Sequence, residues 1–394
     1  MTGAWAGMVA AALAVSQPSF VFRSSFKASG LLSRLPDAPA LFPKRDHAAG
    51  FWRFRVEPSV RVSESVSLEL ALEQRLRLFS TATGSLGAGV LPMGAPAPFR
   101  IRQLDWRLAS GPHAELGAEV DRAVLHVRAS RLHLTIGRQA VGWGRGLAFS
   151  AVDLFAPFTP LEADREWRRG VDAIRADVAI RDRLSIDGVA AIGADLDHSI
   201  IAARLRGYAG NVDVEVLGGK RARDAFGGAA VSAAVGDMEV HGEAAVFDAA
   251  RTVVKALVGG SYRVPLGNGL LVHGEYHYSG FGSPTPAGIA AQLADPAFQE
   301  RYLRGDTQIL GRHAVAILGA YEHGPRLSAT GEWLLNPLDR SGVIIPAVTC
   351  TFSDRVSTVW SLYVPYGRGP SGLTLGSELG ASPLALFAQL KVYR

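Results

Sequence analysis

Cysteine is almost absent. Cys350 stands alone in 394 residues, so an intrachain disulfide and a cysteine-based zinc cluster are both excluded. Long apolar runs are missing too. Hydrophobic residues make up 48% of the chain and mean hydropathy is +0.14. Yet beyond the N-terminus no stretch approaches the ~18 apolar residues that a membrane helix needs. Lysine is scarce, and arginine supplies nearly all of the positive charge. A net charge of +5 spread over 394 residues is too diffuse to indicate a nucleic-acid partner. No long amphipathic helix and no repeat of fixed period is visible, which weighs against solenoids and propellers. At 20% charged residues the composition is that of an ordered chain.

What the chain has is alternation with period two. Val66, Leu68, Leu70 and Leu72 fall on one face, and Ser67, Glu69, Ala71 and Glu73 on the other. A strand separates residues in this way, whereas a helix would scatter both sets around its surface. Val212, Val214 and Val216 oppose Asp213 and Glu215, and Met238, Val240, Gly242 and Ala244 oppose Glu239, His241 and Glu243. The same pattern sets Leu270, Val272, Gly274, Tyr276 and Tyr278 against His273, Glu275 and His277.

Eighteen strands are expected, at 51–62, 66–78, 99–109, 114–129, 131–138, 171–181, 184–193, 198–208, 211–220, 225–236, 238–248, 252–264, 269–280, 311–322, 326–336, 342–352, 355–364 and 384–393. Phe20–Leu32 is a further candidate, and sixteen is the alternative count. Tight connectors such as Asp182-Arg183, Gly236-Asp237 and Ser353-Asp354 carry turn chemistry. The spacing matches tilted membrane strands of roughly 9–11 residues joined by short turns.

These features imply an all-β, transmembrane, up-and-down antiparallel β-barrel. The strands are too many for one ordinary sandwich. Small residues share the apolar parity with aliphatic ones, which a lipid face tolerates. Trp52, Tyr262, Tyr278, Trp333, Trp360, Tyr363 and Tyr393 sit near strand ends, as interfacial belts require. Long connectors at 139–170, 281–310 and 365–383 are separated by even numbers of strands and gather at one end, as in such barrels. By the same count the 79–98 connector falls at the opposite end. Ala4–Val15 has the length of a signal-peptide core, although no Lys or Arg precedes Arg23. Residues 1–17 are therefore expected to be a signal peptide, and 18–394 a single barrel domain.

The most distinctive segment is Gly137-Arg138-Gln139-Ala140-Val141-Gly142-Trp143-Gly144-Arg145-Gly146. It is followed by Asp153-Leu154-Phe155-Ala156-Pro157-Phe158-Thr159-Pro160 and by Arg168-Arg169-Gly170-Val171-Asp172-Ala173-Ile174-Arg175. This pattern resembles porin-like outer-membrane barrels of Gram-negative bacteria, and is similar to segments of alginate-export-type and related barrels. The resemblance covers about 55 residues. It implies a bacterial outer-membrane location, with membrane lipid and small hydrophilic solutes as partners.

The 139–170 loop carries Trp143, Phe149, Phe155, Phe158 and Trp167, more aromatic surface than a solvent-exposed loop needs. It is therefore expected to fold into the lumen. Arg138, Arg145, Arg165, Arg168, Arg169 and Arg175 are expected to face Asp153, Asp164, Glu166 and Asp172 across a constriction, setting up a transverse field. The alternative is a salt-bridge network that braces the loop. No metal site, cofactor or catalytic set is expected. His273 and His277 lie about 13 Å apart along one strand, too far to share an ion. His126 and His133, on adjacent strands, lack an evident third ligand. The expected function is a porin-like channel for passive diffusion of small hydrophilic or charged solutes. The alternative is a non-conducting envelope barrel for polysaccharide export or assembly, working with periplasmic or envelope partners.

Overall fold

The computed structural model describes residues 18–80 and 97–394. The expected signal peptide at 1–17 and most of the 79–98 connector lie outside the described residues. The strands are β1 (Ser19–Arg34), β2 (Asp46–Arg61), β3 (Val66–Phe79), β4 (Asp105–Ser110), β5 (Ala114–Ala129), β6 (Leu132–Gln139), β7 (Val171–Arg181), β8 (Leu184–Ala191), β9 (Ile200–Ala209), β10 (Val212–Arg221), β11 (Asp224–Val235), β12 (Met238–Asp248), β13 (Thr252–Val264), β14 (Leu270–Ser279), β15 (His313–His323), β16 (Leu327–Asn336), β17 (Ser341–Ser353), β18 (Val356–Tyr366) and β19 (Leu384–Tyr393). Two short helices, α1 (Pro286–Ala294) and α2 (Pro296–Arg304), lie between β14 and β15.

All pairings between these strands are antiparallel, and β19 pairs with β1 from Ser25↔Tyr393 to Arg34↔Leu384, which closes the sheet. Eighteen strands form the ring. The nineteenth, β4, is a six-residue patch on the loop-end half of β5, above the short β6. Among the described residues closure leaves the ring itself without a free edge, which is what lets a sheet cross lipid.

The expected count is right, with one exchange. Phe20–Leu32 belongs to a full barrel strand, β1, while 99–109 is not one. It contains only β4, which does not cross the wall. This exchange removes the parity conflict of the 79–98 connector. With β4 outside the ring, only β5 and β6 separate the end of β3 at Phe79 from the 140–170 loop, so the chain leaves the wall at the same end in both places. The other expected strands fall within two residues of the observed ones, except that β2 begins at Asp46 rather than Phe51. The two helices were not anticipated. Each is nine residues long, too short for a convincing period, yet each carries a start signal. Proline stands at the first helical position in both, and Asp295 accepts a hydrogen bond from Ala297 N at 3.0 Å.

The two faces of the wall follow the alternation. Outward side chains are apolar and exposed, among them Leu68, Val214, Val216, Val258 and Ile317. Inward ones include buried Glu73, Asp187, Glu215, Glu243, Lys255 and Glu275. This is the inverse of a soluble sheet protein: the apolar face meets lipid and the polar face is enclosed.

Val216 and Val258, at mid-strand, are 56% and 59% exposed. Arginine at either is expected to lower folding stability in lipid vesicles by about 2–4 kcal/mol. Ser232→Arg, on the inward parity beside Asp213, should change it by under about 1 kcal/mol. Urea-dependent refolding into vesicles measures both. Equal costs on the two faces would contradict the outward assignment.

Candidate functional site: a loop folded into the lumen

The connector from β6 to β7, residues 140–170, is held inside the barrel by side chains of the opposite wall. Glu243 on β12 accepts from the backbone N–H groups of Arg145, Gly146 (3.1 Å), Ala151 (2.7 Å) and Val152 (3.3 Å), and from the Ser150 hydroxyl (2.7 Å). Glu275 on β14 accepts from Leu147 N, and from Ala148 N and Phe149 N at 3.1 Å each. A loop that leaves water must satisfy its N–H groups, and ionised carboxylates are the strongest acceptors available. Trp143 donates its indole N–H to Asp187 on β8 at 3.1 Å. Gln308, from the β14–β15 connector, takes Ser150 N at 2.8 Å and donates to Phe158 O at 2.9 Å.

The far end of the loop crosses to the seam where the barrel closes. Lys27 on β1 bonds Asp164 at 2.8 Å and Glu166 at 2.8 Å, and the Tyr393 hydroxyl donates to Glu166 at 2.6 Å. The Lys27 ammonium also lies 3.7 Å from the centre of the Trp167 ring, with the Arg55 and Arg53 guanidinium carbons at 5.1 Å and 5.6 Å. Burial by itself would raise Asp164, but Lys27 and Arg53 more than offset it and hold the carboxyl below its usual range. Glu166 is lowered in the same way, burial being outweighed by the hydrogen bonds from Lys27 and Tyr393.

Between these ends the loop has an apolar core. Val141, Trp143, Ala151, Val152, Leu154 and Phe155 are buried against Ala173, Val189, Ile200, Ala202, Leu217, Phe226, Ala245, Phe247 and Val253 of the wall. The inward parity changes character along β8 and β12 to permit this. On β12 it runs His241, Glu243, then Ala245 and Phe247, and on β8 Ser185, Asp187, then Val189 and Ala191. The polar half lies toward the short turns and the apolar half beside the loop.

The expected constriction residues divide into three groups. Arg145 crosses to wall carboxylates, with Asp213 at 2.5 Å and Glu215 at 2.6 Å. Arg165 reaches Glu332 on β16 at 3.4 Å, and Arg175 on β7 forks onto Asp187 at 2.9 and 2.8 Å. Arg168 and Asp153 pair within the loop at 2.5 Å. Burial pushes the Asp153 carboxyl up, and Arg168 pulls against this without cancelling it. Arg169 is lowered by burial against the pull of Glu162. Arg138 and Asp172 form a two-bond pair at 2.7 and 3.0 Å but share the outward parity of Ile136 and Ile174. There they hold the 99–104 segment: Arg138 donates to Gln103 O at 2.6 Å, and Asp172 accepts from Ile101 N at 2.9 Å. Gly137, between Ile136 and Arg138, has φ +113°. A Cβ there would sit 2.1 Å from Ala123 O.

The partners that sequence reading missed are on the wall. Besides Glu243, Glu275 and Lys27 there is a network across β2, β3 and β5. Arg55 bonds Asp121 at 2.7 Å and also Glu73, Arg75 bonds Glu73 at 3.1 Å and also Glu119, and Arg100 bonds Glu119 at 2.5 Å. A bulge at Asp121, between Arg122↔Ala71 and Val120↔Leu72, turns both Asp121 and Arg122 to buried positions.

Two outcomes are expected. Glu243→Ala leaves several loop N–H groups without an acceptor, at about 1–3 kcal/mol for each buried one. Hydrogen–deuterium exchange should quicken at residues 145–152 while the strands stay protected. Acid should release the other end. Asp164 and Glu166 are depressed below 3.8 and 4.5, so their stabilisation is complete above those values and is lost as pH falls through the lowered ones. Between pH 6 and pH 3 the Trp167 emission, taken as the difference from Trp167→Phe, should move to the red.

No protein-family model and no curated protein matches the chain. Solved structures match in fold. OccAB1 of Acinetobacter baumannii is 12% identical, with 95% of this chain and 96% of that chain covered at a TM-score of 0.57. OccAB4 of the same organism is 8% identical, with 96% and 99% covered at 0.55. OccK7 (OpdD) of Pseudomonas aeruginosa is 10% identical, with 96% and 99% covered at 0.56. Over nearly its whole length, then, the chain has a fold similar to that of outer-membrane porins.

Proposed function

We propose that the protein is an outer-membrane channel for passive diffusion of small hydrophilic or charged solutes, narrowed by the 140–170 loop. The observation that carries this is the loop's course. It crosses from the β8–β14 wall to the β1–β19 seam, with Arg145 and Arg165 beside wall carboxylates and Arg168 beside the loop's own Asp153. Toward the short turns a pocket of ≈ 420 Å³ lies against β1, β2, β3, β5 and β6, with Arg61, Glu64, Glu69, His126, Arg128 and His133 among its lining residues. Mixed charge of this kind favours dipolar and charged solutes over apolar ones. The apolar packing of the loop supports a second reading, a non-conducting envelope barrel in polysaccharide export or assembly.

Planar bilayers separate the two. Replacing Gly146–Thr159 by a short Gly-Ser linker should raise single-channel conductance while the barrel still closes. Arg165→Gln with Arg168→Gln should move selectivity toward cations, because two positive charges leave the constriction. The shift should shrink between 0.1 M and 1 M salt, where the Debye length falls from about 10 Å to about 3 Å. A folded wild-type barrel that passes no current would reject the channel and favour the assembly reading.

A further inference from the structure

Three strands of the wall bring together side chains that are far apart in sequence. His241 on β12 is opposite Gly259 on β13, and Gly259 is opposite Glu275 on β14. One step toward the short turns, Glu239, Ser261 and His273 occupy the same three strands. Strands two apart are separated by nearly 10 Å, so side chains meet across the middle one only if it leaves room. Gly259 leaves that room. A Cβ there would stand 2.6 Å from His241 Nε2 and 2.9 Å from Glu275 Cγ.

The three side chains that converge are each buried: His241 is 4%, His273 3% and Glu275 3% exposed. One ligand atom from each lies within 4.8 Å of the other two. His273 Nε2 is 2.7 Å and His241 Nε2 3.8 Å from Glu275 Oε1. His241 Nε2 has no hydrogen-bond partner among the described residues, and neither has His273 Nδ1. The other nitrogen of His241, Nδ1, lies 3.1 and 3.2 Å from the two oxygens of Glu239, which also accepts from the Ser261 hydroxyl at 3.1 Å. A carboxylate on Nδ1 keeps the proton there and leaves the Nε2 lone pair free. This is the second-shell arrangement of metal-binding histidines. The Glu239 side chain is 45% exposed, so the cluster is open toward the short turns.

We propose that His241 Nε2, His273 Nε2 and Glu275 Oε1 bind a divalent transition-metal ion of the zinc class on the lumen wall, over Gly259. Two imidazoles and one carboxylate are a common zinc donor set, with ligand distances of about 2.0–2.2 Å and a fourth position left to water. The rings are now stacked, 5.4 Å between centroids and 12° between planes. Rotation about χ2 turns their lone pairs to one point. His273 then exchanges its hydrogen bond to Glu275 for the metal and carries its proton on Nδ1. The site does not depend on whether the barrel conducts.

The test uses the full chain, folded in detergent and stripped with chelator, titrated with Co²⁺ as a spectroscopic probe and then with Zn²⁺. One Co²⁺ per chain is expected, with the intense visible bands of low-coordinate cobalt, displaced by Zn²⁺. His241→Ala and His273→Ala should each weaken binding at least tenfold, as should Gly259→Ala, which removes no ligand atom. His126→Ala, on β5 and outside the cluster, should bind as the wild type does. Circular dichroism and gel mobility verify folding, and His241→Gln with His273→Gln replaces any alanine variant that misfolds. Absence of saturable binding, or binding unchanged in folded His241 and His273 variants, would overturn the proposal.

Discussion

The inward position of the 140–170 loop depends on two wall carboxylates accepting backbone N–H groups. Glu243 and Glu275 between them bond the N–H groups of Arg145 to Phe149 and of Ala151 and Val152, and only Val152 also reaches a partner within the loop, the Ser150 hydroxyl at 3.2 Å, among the described residues. A loop drawn out of water loses the solvent bonds of its main chain, and no sheet lies within reach to replace them. Side-chain acceptors spaced along adjacent strands provide the substitute. The charge on each carboxylate is balanced by the convergence of several donors rather than by one cation. Glu243 needs no lysine or arginine in contact because five donors surround it.

The opposite end of the loop is fastened by another kind of interaction. Asp164 and Glu166 meet Lys27, and Trp167 lies beneath Lys27, Arg53 and Arg55. A carboxylate that receives neutral amides and a carboxylate that receives an ammonium respond differently to acid and salt. The two ends can therefore be loosened separately. The link at the seam also joins β1 to β19 through a third element, since Gln389 donates to both Ser29 at 3.0 Å and Asp164 at 3.3 Å.

Most of the wall was legible because period-two alternation fixes both the strand and its faces. The failures have physical causes. β1 alternates weakly: Ser25, Lys27 and Ser29 mark one parity, but Phe20, Phe22 and Leu32 share the other with Ser24, Ala28 and Gly30. The 99–109 segment alternates Arg100 and Arg102 with apolar neighbours yet serves as a patch beside β5, because β6 is too short to cover that strand's upper half. In the site, the loop's charges were legible and their partners were not. Alternation says that Asp213, Glu215, Glu243 and Glu275 point inward, but not which stretch of loop lies opposite. The cluster over Gly259 was hidden for the same reason, since His241 and His273 are neighbours only through register.

One signal for the inward loop was nevertheless present in the strands. A water-filled barrel would keep its inward parity polar from end to end. Here it changes partway: Arg204 and Arg206 give way to Ala202 and Ile200 on β9, Asp213 and Glu215 to Leu217 on β10, and Ser232 to Ala230 and Phe226 on β11. Beside the loop much of the inward parity is apolar as well, one face for lipid and one for something packed inside, with Arg221 and Asp224 as buried charged exceptions at the strand ends. Trp143 and Phe155 of the β6–β7 connector, with Val141, Val152 and Leu154, are the complement of that surface. Neither half of the pattern is stable alone, because an apolar lumen wall without a loop would face water, and so would the aromatic loop without the wall. The chain thus specifies the plug twice, once in the loop and once in the half-strands that receive it. Carboxylates at the boundary set the depth to which it sinks.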